Sequence, residues 1–193
     1  MQTEVIKLIF ADFLDRFSYF FTDCNQGFIN EVIINMLSRR YRKSKSGRTV
    51  IVRPEYKLEY MYFTIVGAFG IFHPNLKVKG RAAMETPAVA LARSSVFGDY
   101  QLLFDLYPRV ELAPFTMNKS ISKLVRQQLG EDLLVEEYGV MCIVAETFMK
   151  LCELYPESAE VLKVKSLKKR LLFMQCLKQQ EDEVTVYNKN ADD

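Results

Sequence analysis

A dense run of basic side chains offers the clearest chemistry in this chain. Residues 38–48 contain six Lys and Arg residues and no acidic one. Tyr41 lies inside the run, and Tyr56, Tyr60 and Tyr62 follow it. Because cations neutralise phosphates while aromatic rings stack on bases, this interleaving is typical of proteins that bind single-stranded nucleic acid. The predicted RNA-binding residues in this part of the chain are Arg39, Arg40, Tyr41, Arg42, Lys43, Lys45, Arg48 and Tyr60.

The charge of the chain is concentrated in the same region. Between residues 39 and 93, twelve Lys and Arg residues stand against three acidic residues, a net charge of +9. The remainder carries fourteen basic and twenty-one acidic residues, a net charge of −7, so the total of +2 conceals a polarised chain. Such polarity favours polyanionic partners. Two plainer interpretations stay open: alternating tyrosines also suit a half-buried strand, and basic loops are common on soluble proteins.

A second basic patch lies further along the chain. Lys119, Lys123 and Arg126 recur at spacings of four and three residues, which places them on one face of a predicted helix over 119–129. We predict that Lys123 and Arg126 also contact RNA. A basic helix face and a basic loop could form two walls of one groove.

Residue types that support catalysis or metal binding are scarce. His73 is the single histidine, the four cysteines form no C-x-x-C pair, and the phosphate-binding glycine motifs are absent. We therefore predict no enzymatic activity, no catalytic residue, no metal and no cofactor, with the cysteines as reduced thiols. No apolar run reaches the roughly 20 residues of a membrane span, so no membrane partner is expected.

Hydrophobic periodicity predicts a mainly α-helical protein with one small β-hairpin. The predicted hairpin covers 49–63, where one face holds Tyr56, Leu58, Tyr60 and Tyr62 and the other face holds Lys57, Glu59, Met61 and Phe63. Thr86 and Pro87 form a helix-start signal for a helix that extends to about Tyr107. The predicted helices cover residues 4–21, 28–41, 86–107, 119–129, 131–155 and 158–180, before a polar tail.

The order of several short motifs resembles the nucleocapsid proteins of orthobunyaviruses and their relatives. A segment Leu37-Ser38-Arg39-Arg40 enters the basic loop, and Leu91-Ala92-Arg93 stands on a later helix. Residues 104–108, Phe-Asp-Leu-Tyr-Pro, precede a helix that ends with Leu-Val-Arg-Gln-Gln-Leu-Gly at 124–130. This chain is shorter than members of that family, chiefly between the Leu-Ala-Arg motif and Arg126.

The resemblance implies a two-lobed helical protein that holds RNA in a basic groove between its lobes, with Arg93 among the contacts. It also implies terminal helical arms that join neighbouring subunits into homo-oligomers, and a viral polymerase as a possible partner. The location would be the host cytoplasm and the virion. The predicted parts are an N-terminal helix or arm (1–22), an N-terminal lobe with the basic loop and hairpin (23–108), a C-terminal lobe (109–157) and a C-terminal arm with a mobile tail (158–193).

The sequence thus predicts a nucleocapsid-type protein that coats single-stranded RNA without sequence specificity. One alternative is a protein-interaction module, such as an adaptor or a viral antagonist of a host factor. Its basic run would then meet an acidic partner or act as a nuclear import signal. Another alternative is a different structural coat protein whose basic face lines a capsid.

Overall fold

A computed structural model describes residues 10–42, 49–72, 87–91, 93–115 and 137–189, with side chains from residue 138 onward described as far as 175. The helices are α1 (Ala11–Arg16), α2 (Ser18–Phe21), α3 (Gln26–Ile34), α4 (Asp99–Leu103), α5 (Ala145–Leu154) and α6 (Pro156–Lys189). The strands are β1 (Leu37–Arg42), β2 (Tyr60–Val66), β3 (Ala68–Phe72), β4 (Val89–Leu91), β5 (Val96–Phe97), β6 (Glu111–Phe115) and β7 (Glu137–Val144).

The strands form two antiparallel sheets, which overturns the expectation of a mainly α-helical, two-lobed protein. One sheet has the order β1-β7-β2-β5 and the other has the order β4-β3-β6. β2 and β3 are joined through Gly67 alone, so the two sheets are directly connected. Each sheet combines strands from 23–108 with one strand from 109–157, β7 in the first sheet and β6 in the second, so strand pairing crosses the boundary predicted at residue 108.

Several predicted helices are wrong, because these segments pair as strands with distant parts of the chain although their local sequence has helical periodicity. The helix predicted over 28–41 ends at Ile34, after which β1 pairs with β7 about a hundred residues later. Residues 86–107 contain β4, β5 and the short α4 instead of one long helix. Residues 137–144, predicted as helix, form the central strand β7. The predicted helix over 119–129 lies outside the described residues.

The predicted hairpin over 49–63 is also wrong in its pairing. Tyr60 does begin a strand, but that strand pairs with β5 and β7 rather than with residues 50–52. Val52 makes an isolated bridge to Leu112 of β6. The C-terminal helix is confirmed as a helix, and its backbone continues to Lys189.

The core is built around Phe63 of β2. The rings of Phe13 in α1, Phe17 between the two helices and Phe20 in α2 lie 5.4, 5.1 and 5.5 Å from its ring, at steep angles. Edge-to-face contacts of this kind add to the stabilisation that burial provides. The aromatic-rich N-terminal segment, from Phe13 onward, is therefore part of the hydrophobic core.

The helix α3 packs through the apolar stripe that its sequence predicts. Phe28, Ile29, Val32 and Ile33 are all buried. Asn25 caps the helix, since its side-chain oxygen accepts a hydrogen bond from the Gly27 amide at 2.7 Å. None of the described helices combines the length and the hydropathy of a membrane span.

Candidate functional site

The predicted RNA-binding residues Arg39, Tyr41 and Tyr60 meet on one face of the first sheet. Arg39 extends across β7, and its guanidinium lies 4.0 Å from the centre of the Tyr60 ring. Nη2 of Arg39 also donates to the Tyr60 hydroxyl at 2.5 Å. Burial raises the pKa of Tyr41 and of neighbouring Tyr62. The aromatic–cation pairing that the sequence suggests is present.

The other cations of β1 lie on the opposite face. Arg40 and Arg42 alternate with Arg39 and Tyr41 along the strand, and both are exposed. Among the described strands β1 is an edge of its sheet, so three arginines line one exposed border of the molecule.

Arg93 is not beside these arginines. It precedes β5, which forms the other edge of the same sheet. The strands β7 and β2 lie between β1 and β5. At roughly 4.8 Å between neighbouring strands, the two edge strands are about 14 Å apart. Lys43, Lys45, Arg48, Lys123 and Arg126 lie outside the described residues, so the proposed continuous groove stays a prediction.

Sequence reasoning missed a second candidate site, at the junction of α4 and α6. The side chain of Asp99, the first residue of α4, is buried. Ser166 of α6 donates to its Oδ2 atom at 2.5 Å, and Lys169 of α6 donates to its Oδ1 atom. Lys169 also donates to the carbonyl of Val96 at 3.0 Å. Both oxygens of a buried carboxylate are thus held by α6, which offsets the cost of burying the charge.

Gly98 places Asp99 at this junction. Its φ of +97° lies in the left-handed region and turns the chain from β5 into α4. An added Cβ would lie 3.3 Å from Cδ1 of Leu58 and from the carbonyl oxygen of Tyr60. Close packing and an unusual φ therefore both favour glycine here.

The helix α6 is anchored along one face by further polar contacts. The backbone amide of Asn25 donates a hydrogen bond to the buried hydroxyl of Ser158 at 2.8 Å. Lys165 donates to the carbonyls of Phe20 and Thr22 at the end of α2. With the fully buried Leu162 between them, these contacts fix the position of α6 against the body of the protein.

Two cavities meet beside α4 and share Tyr100, Gln101, Val110 and Arg170 as a common wall. One, the apolar pocket, has a volume of about 260 Å³, and its lining includes aliphatic residues of the strands together with Leu172 and Phe173 of α6. The other, the mixed cleft, has a volume of about 930 Å³ and includes Arg109, Glu55, Asp105 and Tyr107.

Arg170 stands at the boundary between the two cavities. Its guanidinium lies 5.6 Å from the ring centre of Tyr100 and 5.2 Å from that of Phe173. A cation flanked by two aromatic rings can bind both a planar group and an anionic group. The described residues contain no cluster of His, Cys, Asp and Glu that could hold a metal ion.

Two sequence signals could have revealed this junction. Asp99 is a single acid inside the apolar stretch from Val96 to Leu103, and a buried acid requires a partner. Gly98 is the second signal, because it marks a point of interruption in the helix predicted from Thr86 to about Tyr107. Neither signal identifies Ser166 and Lys169 as the partners, since these residues lie 67 and 70 positions away.

Comparison with known proteins gives a relationship at the level of fold. No family model matches the chain, and no curated protein matches it. Among solved structures, the cAMP-bound PfPKA-R (141–441) aligns with a TM-score of 0.60 and 10% sequence identity. The alignment covers 92% of this chain and 48% of that one, so this chain spans about half its length. The protein is therefore similar in fold to a cAMP-binding regulatory domain.

Proposed function

We propose that this protein is a regulatory module that binds a nucleotide-class ligand beside α4 and responds through α6. The observation that carries the proposal is the pair of adjoining cavities whose shared wall includes Tyr100 and Arg170. The apolar pocket suits a planar base, while the mixed cleft carries charged residues and suits a sugar phosphate. The larger volume lies within the roughly 300–1,000 Å³ typical of small-molecule sites.

The charges of the mixed cleft fit a ligand with both acceptors and donors. Arg109 and Arg170 can bind phosphate oxygens, and bidentate arginine contacts are well suited to that group. Glu55 and Asp105 can accept hydrogen bonds from hydroxyl or amino groups. A simple inorganic anion would satisfy only the arginines, whereas a nucleotide offers partners to all four residues.

The contact of α6 with Asp99 supports a regulatory role. Ser166 and Lys169 of α6 hold the carboxylate, and Arg170, Leu172 and Phe173 of the same helix line the cavities. A ligand that contacts these residues alters the surroundings of α6 directly. Such a response requires that the ligand bind more tightly when α6 is in one position than when it is in another.

The similar structure contains cAMP, which makes cyclic nucleotides the first ligands to test. Isothermal titration calorimetry with cAMP, cGMP and 5′-AMP should give saturable binding of at least one of them. Arg109→Ala and Arg170→Ala should each weaken that binding about tenfold, because each removes a charge-assisted contact. Arg16→Ala, an exposed arginine at the end of α1, is the matched control and should leave the affinity unchanged. Absence of measurable heat with all three nucleotides at millimolar concentration contradicts the proposal.

A second candidate function is the coating of single-stranded RNA. The observation in its favour is that the edge strand β1 carries the Arg39–Tyr60 stack on one face and the exposed Arg40 and Arg42 on the other. This candidate includes homo-oligomerisation through the terminal helices, a non-enzymatic role and a location in virions. The interaction-module and capsid-lining alternatives would use the same strand. Binding of RNA is tested separately below, with variants that do not touch the cavities.

A further inference from the structure

The outward face of α6 presents an apolar seam. Val164, Leu167, Leu171 and Met174 follow one another at spacings of three, four and three residues. This is the a/d spacing by which one helix packs against another. Their exposed fractions lie between 42% and 64%, whereas Leu162 and Ser166 on the opposite face are buried. The seam therefore points away from the body that holds the helix.

The seam is an unusual concentration of exposed apolar surface. Among the described side chains, twelve large hydrophobic residues are exposed, and five of them belong to α6. Four of those five form the seam. Single exposed apolar residues are ordinary, but a contiguous row on one helix indicates a surface for a partner.

The charges beside the seam identify the chemistry of that partner. On a helical wheel, Lys168 lies on one side of the seam and Lys163 lies on the other. A second copy packed seam to seam would oppose basic flanks in both the parallel and the antiparallel arrangement, and like charges at flanking positions disfavour that pairing. A partner helix with acidic flanks would be complementary to these basic flanks in both the parallel and the antiparallel arrangement.

We propose that this face of α6 binds an amphipathic helix of a partner protein, with apolar residues at heptad spacing and acidic residues on both flanks. The pair between Lys163 and Glu160 does not oppose this, because it is an exposed ion pair of 2.7 Å and such pairs are weak. Lys163 can exchange Glu160 for an acid of the partner helix. The four seam residues line neither of the two cavities.

Two labelled peptides about three heptads long test the proposal by fluorescence anisotropy with the full chain. Both carry Leu at the a and d positions, and they carry Glu or Lys at the e and g positions. The Glu-flanked peptide should bind at least about tenfold more tightly than the Lys-flanked peptide. The variant Leu167→Asp with Leu171→Asp should lose most of this binding. Ile34→Asp, at an exposed apolar position on α3, should retain it.

Charge reversal keeps the test independent of any effect on folding. The variant Lys163→Glu with Lys168→Glu should prefer the Lys-flanked peptide, a reversal that a merely destabilised protein cannot produce. Equal binding of both peptides by the natural chain overturns the proposal. So does a dimer in sedimentation experiments that Leu171→Asp converts to monomer, since the occupant would then be a second copy.

Discussion

Lys169 of α6 donates a hydrogen bond to the buried carboxylate of Asp99 at the start of α4. This contact joins the C-terminal helix to the segment that lines both cavities. The Lys169 side chain is 42% exposed and that of Asp99 is 4% exposed. Water can reach the cation but hardly reaches the anion, so the carboxylate depends on α6 for its solvation.

Removal of the cation should destabilise the protein. We expect Lys169→Met to lower the free energy of unfolding by about 2 kcal/mol, less than for a fully buried pair because Lys169 is partly hydrated. Lys150→Met is the matched control, since its ion pair with Glu146 is exposed on both sides and its loss should leave stability nearly unchanged. Urea unfolding measures both variants, and equal losses of stability contradict the importance of the buried contact.

Gly67 should tolerate alanine far less well than Gly139 does. Gly67 has a φ of +79°, and a Cβ there would lie 2.6 Å from Cδ1 of the buried Tyr138 ring. We expect Gly67→Ala to cost about 2 kcal/mol or more in the free energy of unfolding. A Cβ on Gly139 would lie 3.4 Å from Cβ of Val66, an ordinary contact, and should change stability by less than about 1 kcal/mol. Similar midpoints for the two variants in chemical denaturation would contradict the predicted strain at the link between the sheets.

The thiol of Cys152 should react slowly in the folded protein. Burial raises its pKa to about 12, whereas an unfolded thiol has a pKa of about 8.5. Because the folded state retains the proton, this group's contribution to stability is present below the unfolded pKa and declines as pH rises toward 12.

Alkylation measures this difference directly. In a Cys176→Ser background at pH 8, iodoacetamide should modify the partly exposed Cys24 well before Cys152, as followed by peptide mass spectrometry. In denaturant the two rates should become similar. Equal rates in the native protein contradict the assigned burial of Cys152.

Nucleic-acid binding at β1 should depend on Arg40 and Arg42. If the strand contacts phosphates, Arg40→Glu with Arg42→Glu should weaken binding of single-stranded RNA. It should also reduce the slope of log affinity against log salt by about 1.4, at about 0.7 per lost contact. Filter binding over a range of salt measures both quantities. Arg16→Glu with Lys150→Glu, at two exposed positions outside β1, is the control with the same change in net charge. If the protein retains no RNA on the filter, or if the retained RNA does not change with salt, the result argues against the RNA-coating candidate.

Local patterns in the sequence predicted some elements correctly. The apolar stripe of Phe28, Ile29, Val32 and Ile33 is buried as a helical face, and the alternation around Tyr60 and Tyr62 does mark a strand. The C-terminal helix followed from its periodicity. Each of these signals comes from residues within one or two turns, or a few strand positions, of one another.

The errors occurred where a segment obtains its conformation from a distant partner. Leu37 lies opposite Cys142, and Arg39 lies opposite Val140, in a strand pair that no local pattern specifies. The short strands β4 and β5 contain three and two residues, too few for any periodicity to appear. Arg39 and Tyr60 meet because β7 brings β1 and β2 into one sheet.

By itself, the sequence determined the concentration of positive charge, the amount of apolar material for a core and the conformation of the strongly periodic helices. Only the tertiary structure decided which face each arginine of β1 occupies, and that Asp99 meets Ser166 and Lys169. The physical reason is that helical hydrogen bonds join near neighbours, whereas sheet registry and buried ion pairs join residues far apart in the chain. Such contacts depend on the packing of the whole fold.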